Sequence, residues 1–198
     1  RKGYDPLNLV VEEIANFNAS LPADHETNVT QLFQYDAAGN IVGVTDPRDS
    51  VSTIQYDEVN RPTQLTNALG ATTTFAYDEV GNVLTATDPN GHTTSLKYDA
   101  LNRATQVTDA RGRTIYSTLD WQGNLLSATD PRGNIATVQY DSLYRVISRT
   151  DPLNNITRFE YDAIGNMLKQ IDANGNATNF AYDRMNRPIR ITDAGRIP

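Results

Sequence analysis

Apolar and polar residues alternate along this chain in short bursts. Phe33 and Tyr35 flank Gln34, Ile54 and Tyr56 flank Gln55, Leu96 and Tyr98 flank Lys97, and Val138 and Tyr140 flank Gln139. The same spacing recurs at Phe75/Tyr77, Phe159/Tyr161 and Phe180/Tyr182. A period of two puts both members of each pair on one face of a β-strand, because successive strand side chains point to opposite sides. Thr, Val, Ile and Leu fill the rest of these segments, a composition suited to a pleated, half-covered surface. Clusters of Asp, Asn, Gly and Pro cut the segments to about five or six residues, the usual strand length. The pattern predicts an all-β antiparallel meander of about sixteen strands from residue 35 onward, with no segment there long enough for a helix.

The bursts repeat with a fixed period. Tyr35–Asp36, Tyr56–Asp57, Tyr77–Asp78, Tyr98–Asp99, Tyr140–Asp141, Tyr161–Asp162 and Tyr182–Asp183 begin 21 residues apart, and Leu119–Asp120 fills the one double gap. Three residues after each Asp stands Gly39, Asn60, Gly81, Asn102, Gly123, Tyr144, Gly165 or Asn186. The Gly is always followed by Asn and the alternate residue always by Arg, so the larger period is 42. Asp, two free residues and then Gly or Asn describes a type I turn closed by a left-handed residue. A second turn in each unit follows the same logic, as in Asp88-Pro89-Asn90-Gly91 and Asp130-Pro131-Arg132-Gly133. Strand register stays open at this stage. If the turn adds a bulge, Tyr faces the first apolar residue of the next strand (Val83 in Val83–Leu84); without one it slips by a residue.

Residues 35–198 thus read as eight 21-residue repeats in 42-residue alternating pairs. Residues 1–34 break the period. Asp5-Pro6-Leu7-Asn8 resembles Asp151-Pro152-Leu153-Asn154, which suggests a degenerate earlier repeat. Val10, Val11, Ile14 and Phe17 fall at helical spacing behind Glu12 and Glu13, so a short helix or an insertion is expected there, with a loop over 19–28 before a strand at 30–35. The chain opens on Arg1, not Met, as a piece of a longer protein would.

Composition removes several classes of function. There is no Cys for a disulfide or thiolate site, and His25 and His92 cannot build a zinc centre between them. A net charge of −7 with scattered Lys and Arg argues against nucleic acid as a partner. No apolar run approaches the ~20 residues of a membrane-spanning helix, so no membrane insertion by this segment is expected. Asp172-Ala173-Asn174-Gly175-Asn176 resembles the start of an EF-hand loop but lacks its twelfth-position Glu. Ser20, Asp24 and His25 are close in sequence with nothing to orient them as a triad. No metal, cofactor or catalytic residue is therefore expected. Trp121, inside a turn where other repeats carry Ala, Glu, Ser or Arg, is the one candidate contact residue. The tyrosine series offers either a packing face or a row on which sugars could stack.

The Tyr-Asp-x-x-Gly-Asn unit resembles the Rhs/YD-repeat family, which includes bacterial Rhs polymorphic toxins, the C components of insecticidal toxin complexes, wall-associated YD proteins and the teneurins. The resemblance covers 164 of 198 residues. It implies a curved β-strip forming part of a hollow shell, which in toxin members encloses a C-terminal toxic polypeptide. It further implies a structural, non-enzymatic role, a secreted or cell-surface bacterial location, and two partners: the remaining repeats of the parent chain and the enclosed polypeptide. The alternative is an extracellular adhesion module that binds surface glycans. Toxin members also carry a self-cleaving aspartyl protease with Asp-Pro-x-Gly-Leu motifs. Asp88–Gly91 and Asp130–Gly133 share four of those letters but continue to His92 and Asn134 at regular turn positions, so no catalytic role carries over.

Overall fold

The computed structural model describes residues 1–17, 20 and 29–193. Most of the loop expected over 19–28, including Asp24 and His25, lies outside these residues. The chain divides into two units, Arg1–Leu96 and Lys97–Pro198. The first holds β1 (Lys2–Tyr4), β2 (Val10–Ala15), β3 (Val29–Tyr35), β4 (Ile41–Thr45), β5 (Val51–Tyr56), β6 (Pro62–Thr66), β7 (Thr72–Tyr77) and β8 (Val83–Thr87). It closes with β9 (Thr93–Tyr98), whose last two residues fall past the boundary. The second holds β10 (Ala104–Thr108), β11 (Thr114–Leu119), β12 (Leu125–Thr129), β13 (Ile135–Tyr140) and β14 (Val146–Thr150). It continues with β15 (Ile156–Tyr161), β16 (Met167–Ile171), β17 (Ala177–Tyr182) and β18 (Pro188–Asp193). Within each unit every strand pairs antiparallel with the next one in sequence. Among the described residues the fold is all-β, as the alternation predicts.

The expected helix does not form. Val10, Val11 and Ile14 lie in β2, which pairs with β1 on one side and β3 on the other. A ladder on both sides satisfies the amides of β2, whereas a helix of about two turns is too short to hold itself together. Asp5–Asn8 also differs in class from the turn it resembles. It follows Tyr4, and Tyr4 faces Val10 across a register shift, as Tyr35 faces Ile41. This is another Tyr-Asp hairpin.

Two kinds of hairpin alternate. In the Tyr-Asp hairpins a bulge precedes the tyrosine, which then opposes the first residue of the next strand: Tyr56 with Pro62, Tyr77 with Val83, Tyr161 with Met167. That closes the register question in favour of the bulge. Pro62 and Pro188 are tolerated because a first strand position can forgo its N–H. The intervening hairpins pair without slippage, Thr66 on Thr72 and Thr87 on Thr93.

Register sorts the side chains into two faces, since directly opposed residues share a side. On one face Phe33 opposes Val44, Ile54 opposes Leu65, Phe75 opposes Ala86 and Phe180 opposes Ile191. On the other Thr53 opposes Thr66, Gln64 opposes Thr74, and Thr74 opposes Thr87. Threonine hydroxyls bond across that polar face, Thr87 to Thr93 at 2.8 Å and Thr108 to Thr114 at 2.9 Å. Among the described residues strands meet only their sequence neighbours, and no apolar side chain is buried. Among the described residues the strands of each unit form one layer.

Candidate functional site

The chemistry of the chain collects in its turns. In the Tyr-Asp turns from Asp36 onward the aspartate is a three-way acceptor. Asp36 Oδ1 accepts the N–H groups of Ala38 and Asn40, both at 2.9 Å, and Oδ2 accepts Asn40 Nδ2 at 2.9 Å. Asp57 does the same with Val59 N–H (3.0 Å), Arg61 N–H (2.9 Å) and Arg61 Nε (2.7 Å). Its own N–H donates to Arg61 O, and Asn60 N–H donates to Asp57 O, closing the turn. The intervening turns use the same clamp at Asp88 and Asp130, with Asn67 standing in for Asp in one of them. Donors surrounding a carboxylate favour its charged form. The Asn40 amide, followed by its N–H, holds Asp36 below the ordinary value of 3.8, and the Arg61 N–H does so for Asp57.

The clamp holds the turn aspartates to donors of their own turns. Asp172, in the EF-hand-like stretch, accepts Asn174 N–H, Asn176 N–H and Asn176 Nδ2 within its own turn. Among the described residues no three His, Cys, Asp or Glu side chains come together as metal ligands would. Asp88 and Asp130, which resemble the protease motif, are ordinary turn aspartates.

A second set of bonds runs from each hairpin to the next. Tyrosine hydroxyls reach back to a carbonyl of the preceding hairpin, 25 residues earlier for Tyr35 to Val10 (2.7 Å) and fifteen for Tyr56 to Ile41 (3.0 Å), Tyr77 to Pro62 (2.7 Å), Tyr140 to Leu125 (3.0 Å), Tyr161 to Val146 (2.9 Å) and Tyr182 to Met167 (3.0 Å). The tyrosines are therefore not merely packing residues; each ties its strand to the preceding hairpin. Leu119, at the same position, has no hydroxyl to do this.

The arginines reach forward. Beyond its bond to Asp57, Arg61 donates from Nη1 to the carbonyl of Asp78 at 2.8 Å, and its guanidinium lies 4.7 Å from the Tyr77 ring centroid. Arg145 repeats this toward Asp162 (2.7 Å) and Tyr161 (4.9 Å). Arg103 reaches Asp120 O at 2.6 Å, where Leu119 offers no ring. Asparagines add a parallel link from the Gly-Asn turns, Asn40 Nδ2 to Asn60 Oδ1 (2.7 Å) and Asn166 Nδ2 to Asn186 Oδ1 (3.2 Å).

These links follow the 42-residue alternation. In the turns that receive an arginine, Gly81, Gly123 and Gly165 each have φ of 99°. Asn60, Asn102 and Asn186, in turns that receive no arginine, sit at 59–63°, within the small left-handed region open to L-residues. Gly39 is an internal control. Leu9 replaces the arginine beside it, and its φ is 87°. An aspartate carbonyl shared between the turn amide and a guanidinium thus goes with a conformation that only glycine takes cheaply.

Trp121 is 75% exposed and meets Tyr144 edge-on, with ring centroids 6.4 Å apart. Tyr144 holds the left-handed position, φ 61°, that asparagine holds elsewhere. An aromatic contact joins these two turns where Asn40 and Asn60 use a hydrogen bond. Sequence reasoning missed the arginines and Tyr4. The signal for the arginines was present, since every one of them follows an Asn or Tyr and precedes a Gly-type repeat.

Tyr-Asp hairpins clamped by aspartate and cross-linked by tyrosine and arginine define a YD-type repeat protein. The RHS Repeat family matches residues 35–72, 56–93, 77–114, 120–156, 145–177 and 161–197, and the chain belongs to that family. A search of curated protein sequences finds no significant match. Among solved structures, the fold is similar to that in a Tc holotoxin pore of Photorhabdus luminescens carrying a mutated TccC3, with TM-score 0.62, 20% identity and 81% of this chain covered. It is similar to a TcdB2-TccC3-Cdc42 structure at TM-score 0.62 and 19% identity over 81% of the chain. A TcdB2-TccC3 structure without its hypervariable C-terminal region matches at TM-score 0.52 and 16% identity over 97%. The matches span 10–14% of those chains' length.

Proposed function

We propose that this chain is a wall segment of an Rhs-repeat shell that encloses a C-terminal toxic polypeptide in a secreted bacterial toxin. The observation that carries the reading is the uncovered apolar face. Phe33, Ile54, Phe75 and Phe180 oppose apolar residues across their ladders, yet no apolar side chain is buried among the described residues. A single layer with such a face needs something to cover it, and an enclosed polypeptide does so while leaving the threonine face to water. The turns from Asp36 to Asp183 are uniformly tight, so no long loops project as recognition sites would. The aspartate clamps leave these turns structural, not catalytic.

Cryo-microscopy of the full-length parent tests the proposal. The expected result is a closed chamber with additional density inside and these repeats in its wall. A solid sandwich, or a ribbon with no internal volume, would overturn it and favour adhesion.

A further inference from the structure

The apolar face of the second unit carries a charge at its middle. Along the register, Ile191 opposes Phe180, and Thr178, two residues before Phe180, opposes Gln170. Gln170 opposes Phe159, Thr157 opposes Arg149, and Arg149 opposes Val138, so all of these share a side. Among the described strand residues from β10 to β17, Arg149 is the one charged residue on that side. At the same place in other repeats stand Leu65, Ala86, Val107, Ala128 and Gln170. Arg149 is exposed, and its guanidinium lies 5.8 Å from the Phe159 ring centroid. Arg61, Arg103 and Arg145 each pair with an aspartate, whereas among the described residues no carboxylate pairs with Arg149. It stands in a hollow with Ala136, Val138 and Thr157. Asp151 also lines the hollow, but its oxygens accept Leu153 N–H, Asn155 N–H and Asn155 Nδ2 within its own turn.

We propose that Arg149 and its hollow bind an acidic side chain, Asp or Glu, of the polypeptide that covers this face. The occupant rests on the shell reading: it is an extended segment of the enclosed chain, with one carboxylate flanked by apolar residues. Covering the face takes water from the guanidinium, which stays charged and can only donate. An unpaired charge in that position is costly, and a neutral covering segment brings nothing to offset it. A carboxylate does, because its two oxygens match the guanidinium fork with parallel bonds. Thr157 adds a hydroxyl on the same side, and the small side chain of Ala136 leaves room for the incoming group. Apolar contacts along the rest of the face carry no direction. The Arg149 hollow therefore fixes the covering chain at one point on a surface that otherwise lets it slide.

The probe is an acetylated and amidated peptide, Val-Phe-Glu-Phe-Thr, with a Gln twin and a Lys twin. Each is titrated into the 198-residue chain and followed by backbone amide NMR shifts. Saturable shifts at Val138 and Thr157 are expected, with the Glu peptide about tenfold tighter than the Gln peptide, the effect of one charge-assisted pair. Arg149→Gln should bring these two peptides level and leave the fold intact, since Gln170 holds that place natively in the next repeat. Arg149→Glu should reverse the order and make the Lys peptide the tightest of the three. No saturable binding, equal binding of the Glu and Gln peptides by the native chain, or a preference that survives Arg149→Gln would each overturn the proposal. The shell reading fails separately. An empty chamber in the full-length parent would sink that reading and leave the peptide selectivity intact, while a filled chamber without the selectivity would sink this proposal alone.

Discussion

At Gly81 and Gly123 the glycine of the turn lies beside an arginine 20 positions earlier in the chain. Gly123 has φ of 99° and accepts no side chain cheaply, with Arg103 Nη1 3.7 Å from where a Cβ would stand. Gly123→Asn should be destabilising in the native chain and less so beside Arg103→Gln, and urea melts of the four variants give that coupling directly. Equal costs in both backgrounds would deny that the arginine sets the turn. Gly81→Val places a β-branched residue at φ 99° and should cost more than about 1 kcal/mol. The tyrosines matter more than a packing role would suggest. Tyr161→Phe removes the bond to Val146 O and should cost about 0.5–1.5 kcal/mol, while Leu119→Tyr should recover a similar amount. A Leu119→Tyr variant that melts below the native chain would contradict this account of the hydroxyl.

Hairpins are the elements of this fold, and their order carries information. An Asn-Arg hairpin supplies the arginine that a Gly-Asn hairpin receives, so the indivisible step is 42 residues and not 21. Deleting residues 120–161 joins Arg103 to the Gly165 turn and preserves the alternation. Deleting residues 120–140 joins Arg103 to the Tyr144 turn, whose left-handed tyrosine cannot follow the arginine to φ 99°. The shorter deletion should therefore give the lower urea midpoint, although it leaves more hairpins in place. A higher midpoint for it would show that hairpin count, not hairpin type, governs stability. The exposed turn pair Trp121 and Tyr144 is a local exception, joining its two turns through aromatic rings.

At the scale of the whole molecule two features dominate: one clamped aspartate in almost every turn, and no buried apolar side chain among the described residues. The first makes stability depend on acid. Hydrogen bonds to the charged carboxylate hold the turn aspartates below 3.8, led by the Asn124 amide for Asp120 and by the Arg103 side chain for Asp99. A carboxylate depressed in the folded state stabilises it above the unfolded value, and that contribution is lost as pH falls through the folded values. The urea midpoint should stay level from about pH 7 to about pH 5 and drop below about pH 4. A flat profile to pH 3 would mean that the clamps contribute nothing. The second feature predicts that the isolated chain binds an apolar dye such as ANS strongly, because one strand face is left uncovered.

The sequence by itself determined the strands, their antiparallel order, the turn chemistry and the family. All of these are local or strictly periodic, and a period of 21 with Asp and Gly at set offsets leaves few alternatives. It misjudged Val10 to Ile14, where helical spacing lost to pairing with strands on both sides. It could not choose the register at Tyr77 and Val83, because a bulge changes no residue, only which one faces which. What the tertiary structure alone decided is the reason for the alternation. The arginine that accompanies the unusual φ of Gly81 bonds the carbonyl of Asp78, 17 positions away in the chain and 2.8 Å away in space. Sequence order records that the two types alternate; only the tertiary structure brings the Arg61 guanidinium onto the Asp78 carbonyl and shows what the alternation connects.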